Sequence, residues 1–483
     1  MTALSHDGVR TGRLSSALDP EAHAIVYAPF TDAGDADPLG DELRRISEVD
    51  RAHLIMLTER GVVEPGRAAA LLRAVEELRA ADFGPVRGRP MPRGVYLAYE
   101  GHLIETLGDT TGGVLHTGRS RNDLNATTAR LRARTPFLAL LDAVDGLADV
   151  LLARAASYAD VTMPAYTHGQ PAVPITYGHY LAGVAGGVLR AYGRLLEAGD
   201  QLDVNPLGAG AVGGTSVPVD AERTAELLGF TATVPNSVDA VASRDFALAL
   251  LSASAMLGVT LARAARDLGV WTSEESGLLR VTDTMVGSSS MMPQKRNPFP
   301  LEHVQGRATA SLGAFVAAAT AMTTAGYTNA IAVGTEAMRH LWPGLGDTTD
   351  AVTLLRLVVA GTEPCPDRMA ERARDGFTAA TYLAERLVAD GMPFRAAHHR
   401  VGETVLEALE SGRSLEETAR FDGDLAPDRV AAACAFGGGP GADGLPPLRD
   451  LLTRHRAETA ARRDRWSAAA ALLDEAVGKA VRA

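Results

Sequence analysis

The sequence predicts an all-α protein built around a bundle of long helices. Three observations predict it. The chain is 46% hydrophobic but only 5% aromatic. Ala, Leu and Arg are plentiful, and they lose little conformational entropy in a helix. Strand-like alternation rich in Val, Ile and Thr is scarce. Long helical runs are joined by polar connections rich in Gly and Pro, the pattern of a helical bundle.

In chain order, the first 40 residues are rich in Asp, Gly and Pro and read as an irregular arm. Residues 39–81 carry an amphipathic helical pattern. It breaks at Gly61, and a Pro-Gly pair opens a second helix. Further helical runs cover 124–158, 177–203, 243–278, 302–325, 336–361 and 367–390. The stretch GGGPGADGLPP at 437–447 reads as loop, and 448–480 as helix again. Helices of this length need partners for their apolar faces, so an oligomer is expected.

The formal net charge is −12, and no long Lys/Arg block is present. This argues against nucleic acid or an anionic membrane as partner, while a few local cations could still hold a small anion. Cys365 and Cys434 lack zinc-ligand spacing and read as small buried or surface thiols, which suits a reducing, cytoplasmic setting. MTALSHDGVR at the N-terminus lacks the apolar core of a secretory leader. The uncharged apolar stretch Phe246 to Ala262 is slightly short for a membrane span. It reads as a helix buried on all sides of a bundle.

Three segments carry chemistry. SSSMMPQKRNPFPLE, from Ser288 to Glu302, is a small-residue loop running into Pro293, Lys295, Asn297 and Pro298. Small residues let such a loop close over a ligand, and prolines limit its conformations. Lys295 supplies a cation and Asn297 an amide donor. The bland alternative is a polar linker. LHTGRSRNDLNATTARL, from Leu115 to Leu131, presents Ser120, Arg121 and Asn122 in a row at a helix start, where hydroxyl, guanidinium, amide and the helix's positive end can hold a carboxylate. A surface helix cap is the bland alternative. MPAYTHGQPAVPITYGHYLAG, from Met163 to Gly183, holds Thr167, His168 and Gln170. A lone His is more often structural than catalytic. His179 is read as structural.

These segments resemble, respectively, the GSSxMPxKxNP, HTGRSRND and YTHxQxAxPxTxGHxL motifs of the fumarase/aspartase superfamily, and most closely its argininosuccinate lyase branch. Weaker matches at 12–20, 206–230, 236–246 and 391–402 extend the resemblance along nearly the whole chain. It implies a three-domain fold with boundaries at 1–116, 117–367 and 368–483, and a homotetramer whose sites are shared between three subunits. It implies a small dicarboxylate substrate, with no metal or organic cofactor. Ser289 falls on the catalytic serine, and Glu302 on the acidic partner of His168. These two, with His168 and Lys295, are the implied catalytic set. Ser120, Arg121, Asn122, Thr167, Gln170, Asn297 and Tyr327 are the implied substrate-binding set. The loop from about 280 to 292 is expected to open without ligand.

The resemblance has gaps. Ser288 stands where the motif has Gly, and Phe299 where argininosuccinate lyases usually carry Asp. Their YNxDxQxDKE segment corresponds to YTNAIAVGTE at 327–336, so Ala332 and Thr335 replace the Gln and Lys that contact arginine. Their EDxH segment corresponds to RGVYLAYE at 93–100, which adds Tyr96, Ala98 and Tyr99 as apolar surface. Ala28 or Tyr27 replaces a serine in the N-terminal arm. The fumarate half of the site is intact and the arginine half is not. The expected activity is therefore release of fumarate from a nitrogen-substituted succinate other than argininosuccinate. The alternatives are genuine argininosuccinate cleavage, a cycloisomerase, or a non-catalytic crystallin-like homologue.

Overall fold

The computed structural model describes residues 18–31 and 37–482, without the side chains of 27–31 and 288. Most of the 12–20 match, and the side chains of Tyr27 and Ala28, lie outside the described residues. The fold is built of helices, with a few short two-stranded pairings. The long helices are α1 Pro20–Thr31, α2 Pro38–Glu59, α3 Pro65–Ala80, α4 Val95–Leu107 and α5 Arg121–Ser157. A hairpin follows, β1 Thr162–Thr167 and β2 Gln170–Thr176, and then α6 Tyr177–Gly199 and α7 Asp245–Trp271. After these come α8 Phe299–Ala308, α9 Ala310–Met322, α10 Leu341–Ala360, α11 Pro366–Asp375, α12 Ala380–Ala389, α13 Phe394–Ser411 and α14 Leu445–Arg482.

Local chemistry explains the helix starts. Asp37 accepts from the Gly40 amide at 2.9 Å, with Pro38 at the first helical position. Pro65 opens α3 in the same way, because proline lacks the N–H that a first turn leaves unpaired. Thr176 caps α6. Ser120 and Asp123 form a reciprocal capping box at the start of α5. The expected irregular arm is wrong over 20–31. Asp19 Oδ1 accepts from the Glu21 and Ala22 amides at 2.9 and 3.2 Å. Ala22 is buried against the main core.

That core lies between α5, α6, α7, α8 and α10, through fully buried residues such as Leu140, Leu189, Leu250, Leu261 and Leu354. A second cluster joins α2 to α4 with Leu227 and Leu228, and a third lies between 379 and 430. The last helix bridges the first two: Leu452 and Trp466 enter the first cluster, Leu473 and Val477 the second.

Four runs end or break where simple periodicity misses it. The run 243–278 stops at Trp271, 302–325 divides at Thr309, and 367–390 divides between Asp375 and Ala380. The run expected to begin at 336 starts earlier, in a π-helical turn over Ala332–Ala337. Helix α7 has the length and apolarity of a membrane span, but one of its faces forms core through Leu257, Leu261 and Leu268. The expectation of burial on all sides is corrected: Met256 and Val259 are 46% and 56% exposed. On the neighbouring α9, Leu312 and Val316 are 52% and 55% exposed. Two packed helices thus leave a bare apolar stripe on one chain.

Candidate active site

The residues singled out by the sequence lie in three patches. The first is the start of α5. The Ser120 amide donates to Asp123 Oδ1 at 2.8 Å, and Ser120 Oγ accepts from the Asn122 amide at 3.3 Å. Asp123 Oδ2 accepts from Gly208 and Gly210 amides at 3.1 and 3.0 Å, which holds the 206–214 loop against the helix start. Burial pushes the Asp123 carboxyl up, although these amides oppose the shift. The Asn122 amide donates to Ala211 O at 2.9 Å and accepts from Asn329 Nδ2 at 2.9 Å. The Tyr327 hydroxyl donates to Asp239. One chain therefore brings Ser120 and Asn122 to Asn329, two residues beyond Tyr327, while Arg121 Nη1 donates to Arg93 O at 3.3 Å. Asn329 and Asp239 were missed. Asn329 is the residue that fixes the Asn122 amide, and no motif marks it.

Beneath this patch is a buried polar network. Arg119 and Asp50 form an ion pair with no side-chain exposure. Burial works against the Arg119 charge, but Asp50 overrides this and holds Arg119 above its ordinary value. Arg119 Nη2 also donates to the Tyr96 hydroxyl at 3.1 Å, and that hydroxyl donates to Glu100 at 3.2 Å. His116 Nδ1 lies 3.0 Å from the same oxygen and must carry the proton there. The reading of Tyr96 and Tyr99 as pocket surface is corrected. Both rings are buried, and the Tyr96 hydroxyl ties the network that supports Arg119.

His53 belongs to this network through Nε2 and Thr117 O, 2.8 Å apart. Burial, with the nearby Arg119 charge, lowers its pKa from 6.5 to about 3. The unfolded chain takes up this proton near 6.5 and the folded chain does not. Stability from His53 is therefore complete above that pH and is lost as pH falls toward 3. The slope is about 1.4 kcal/mol per pH unit. Denaturant midpoints measured from pH 7 to pH 4.5 should follow this slope, and His53→Gln should flatten it. An unchanged slope in the variant would assign the effect to another group.

The second patch is the tip of the β1–β2 hairpin. Thr167 pairs with Gln170, leaving a two-residue turn. His168 and Gly169 both have positive φ, 54° and 75°, as a type I′ turn requires. A non-glycine residue held there costs roughly 1–3 kcal/mol. The sequence offers Gly for one position and pins His in the other. Met163 at the base is buried, and the Tyr166 ring lies 6.3 Å from that of Trp271. Thr167, His168 and Gln170 are thereby presented to solvent on an anchored arm.

The third patch is the serine loop. Gly287 pairs with Asn297 and Ser288 with Arg296, closing residues 289–295 into a loop. Arg296 fastens the base by pairing with Asp283 and by donating to Val281 O at 2.8 Å. Ser289 Oγ accepts from the Met291 and Met292 amides at 3.3 and 3.1 Å. A Cβ on Gly287 would stand 2.5 Å from the Phe299 ring, so the departure at 299 packs directly beneath the loop and requires the glycine. The expected opening of 280–292 is narrowed. Leu279–Val281 pairs with Thr362–Pro364, and Val281 and Met285 are buried. Residues 289–295 form the loop between the paired strands. Glu302 is exposed in the first turn of α8.

Helix α5 has 37 residues, so it is about 55 Å long. Ser120 stands at one end and the hairpin follows the other. A six-residue strand spans only about 20 Å, so the tip cannot reach back to Ser120. Among the described residues, no hydrogen bond or ion pair joins His168 to Glu302 or the serine loop to either other patch.

Residues 46–313 match the family described as lyase, and residues 377–428 match argininosuccinate lyase C-terminal. Argininosuccinate lyase 1 of Shouchella clausii is 35% identical over 402 residues, 83% of this chain and 80% of that one. The argininosuccinate lyase of Halobacterium salinarum is 40% identical over 365 residues, 75% and 73%. The crystal structure of EDDS lyase in complex with formate has a TM-score of 0.88 at 28% identity, covering 98% of each chain. A variant of that enzyme with bound fumarate gives the same score and identity over 99% and 98%. The matched range 46–313 contains the helix cap, the hairpin and the serine loop, and the chain belongs to the argininosuccinate lyase family of the fumarase/aspartase superfamily.

Proposed function

We propose that the protein is a carbon–nitrogen lyase that releases fumarate from a nitrogen-substituted succinate other than argininosuccinate. The reaction removes a proton from the carbon beside a carboxylate and expels nitrogen from the neighbouring carbon. The carbanion would lie next to a negative group, so its charge must be received by the carboxylate as an aci-form and held there. Lys295, Asn297, Thr167 and Asn122 are suited to hold it. Ser289 is the base. His168, with Glu302 of another copy, acts on the leaving-group side.

One observation carries the specificity. Groups for the four-carbon acid remain, while the positions that would grip arginine are Ala332 and Thr335. Both lie in the π-helical turn just beyond Asn329, which binds Asn122. A buried charge left without its partner costs roughly 2–5 kcal/mol, so the arginine moiety would bind poorly. The separation of the patches along α5, with the bare stripe of α7 and α9, supports a homotetramer in which three chains build each site. The two cysteines are free, which suits the cytoplasm.

Fumarate absorbance over a panel of N-substituted aspartates, EDDS, nitrosuccinate and argininosuccinate tests this. We expect turnover of at least one non-arginine substrate at more than about tenfold the kcat/KM of argininosuccinate. The names of the curated relatives favour the second reading, argininosuccinate cleavage. An ordinary kcat of around 1–10 per second on that substrate would establish it.

A further inference from the structure

Arg244 is a buried cation that pairs with no carboxylate among the described residues. Its side chain is 1% exposed, the largest fully buried one in the described chain. Nη1 donates to the carbonyls of Val241 and Ser243 at 3.2 and 2.7 Å. Among the described residues Nη2 donates to nothing, and Arg244 forms no ion pair. Arg130 beside it is also buried. It donates to Ala126 O and stacks on Phe246, with Asp239 and Asp245 near enough to favour its charge but, among the described residues, no ion pair. Burial lowers Arg244 to about 10; burial and then the Arg244 charge lower Arg130 to about 9. A buried cation placed as Arg244 is, beside a second buried arginine, is costly unless something anionic joins it.

Open space lies beside Arg244 Nη2, over Gly334. A Cβ on Gly334 would have only two neighbours within 4 Å: Arg244 Nη2 at 3.8 Å and Asn329 Oδ1 at 4.0 Å. Asn329 donates to Asn122, so this space adjoins the substrate patch. In the segment YTNAIAVGTE, Gly334 falls on the second Asp of the YNxDxQxDKE pattern. A carboxylate on that Cβ would reach Arg244 directly. Here it is absent, while Thr335 takes the place of the Lys. One cation is withdrawn from the pocket and another is uncovered beside it.

We propose that Arg244, backed by Arg130, forms an anion subsite over Gly334 that binds a carboxylate carried by the leaving group. The ligand class is an N-substituted aspartate, other than argininosuccinate, whose departing amine bears its own carboxylate. This rests on the lyase reading above and narrows it. Inorganic sulfate is the probe for the site itself, and a substrate pair is the probe for its use. Wild type should show a saturable rise in melting temperature with sodium sulfate, beyond that with sodium chloride at equal ionic strength. Arg244→Gln and Gly334→Asp should lose that difference. Gly334→Asp keeps the guanidinium and supplies its missing partner, so it remains informative if Arg244→Gln does not fold. For catalysis, N-(2-carboxyethyl)aspartate and N-propylaspartate differ only at the end of the leaving group. Wild type should favour the first by at least about tenfold in kcat/KM, and Gly334→Asp should remove that preference. An equal sulfate response in all three proteins, or a wild-type ratio near one, overturns the inference. Failure to release fumarate from any substrate, with the sulfate difference intact, would instead remove the lyase reading and leave an anion site.

Discussion

Ser289→Ala is expected to lower fumarate release from every substrate by about a thousandfold, the scale of a lost general base in a site that also stabilises charge. A serine hydroxyl is ordinarily too weak an acid to act as a base at neutral pH. The loop changes its surroundings. Ser289 Oγ already accepts from two backbone amides, those of Met291 and Met292. Such donors favour an alkoxide over a neutral hydroxyl, because a hydrogen bond to a charged acceptor is roughly twice as strong as one to a neutral acceptor. Closure of the loop over substrate would exclude water and bring Lys295 to the same charge. In the ground state Ser289 carries no charge, so its removal should leave fumarate affinity, measured by calorimetry, within a few-fold of wild type. Lys295→Met should weaken both binding and turnover, because a fixed cation acts on the dicarboxylate throughout. If Ser289→Ala retains more than a tenth of wild-type kcat, the base is elsewhere, and His168 becomes the first alternative.

The helices that the sequence revealed are those with local signals. Asp37 followed by Pro38, the Ser120–Asp123 pair and Gly61 with Pro65 mark ends that the backbone must satisfy nearby. Helix α1 carried a comparable signal in Asp19, Pro20 and Glu21, but its surroundings, rich in Asp, Gly and Pro, concealed it. The hairpin carrying His168 was not legible. Pro164, Pro171 and Pro174 weaken a strand reading, and His-Gly is not the favoured turn pair. The motifs singled out the candidate side chains, but motifs contain no distances. Only the geometry puts Tyr96 in a buried network rather than on the pocket wall, or sets Asn329 against Asn122. The bare stripe on α7 was hidden for a related reason. Apolar periodicity shows that a face avoids water, not whether its own chain or another covers it.

That distinction leads to an expectation for mixed oligomers. Ser289→Ala and His168→Ala chains, each nearly inactive alone, should regain activity when unfolded together and refolded as a mixture. The Ser120 patch and the hairpin tip lie at opposite ends of a 37-residue helix. Among the described residues of one chain, neither is bonded to the serine loop. If a site takes its hairpin from one chain and its serine loop from another, some sites in a mixed tetramer receive both intact parts. With random assembly of equal amounts, the hairpin is intact with probability one half and the loop with probability one half. About a quarter of sites are then complete, and activity should approach about a quarter of wild type. The gain should vanish if the chains are folded separately and mixed under conditions that prevent exchange. It should also vanish for one chain carrying both substitutions, mixed with itself. If instead His168 and Ser289 serve the same site from one chain, every site in the mixture carries a defect and no assembly ratio restores turnover. Measuring fumarate release against the fraction of each chain distinguishes the two. Shared sites give a curve that peaks at equal amounts, because the number of complete sites follows the product of the two fractions.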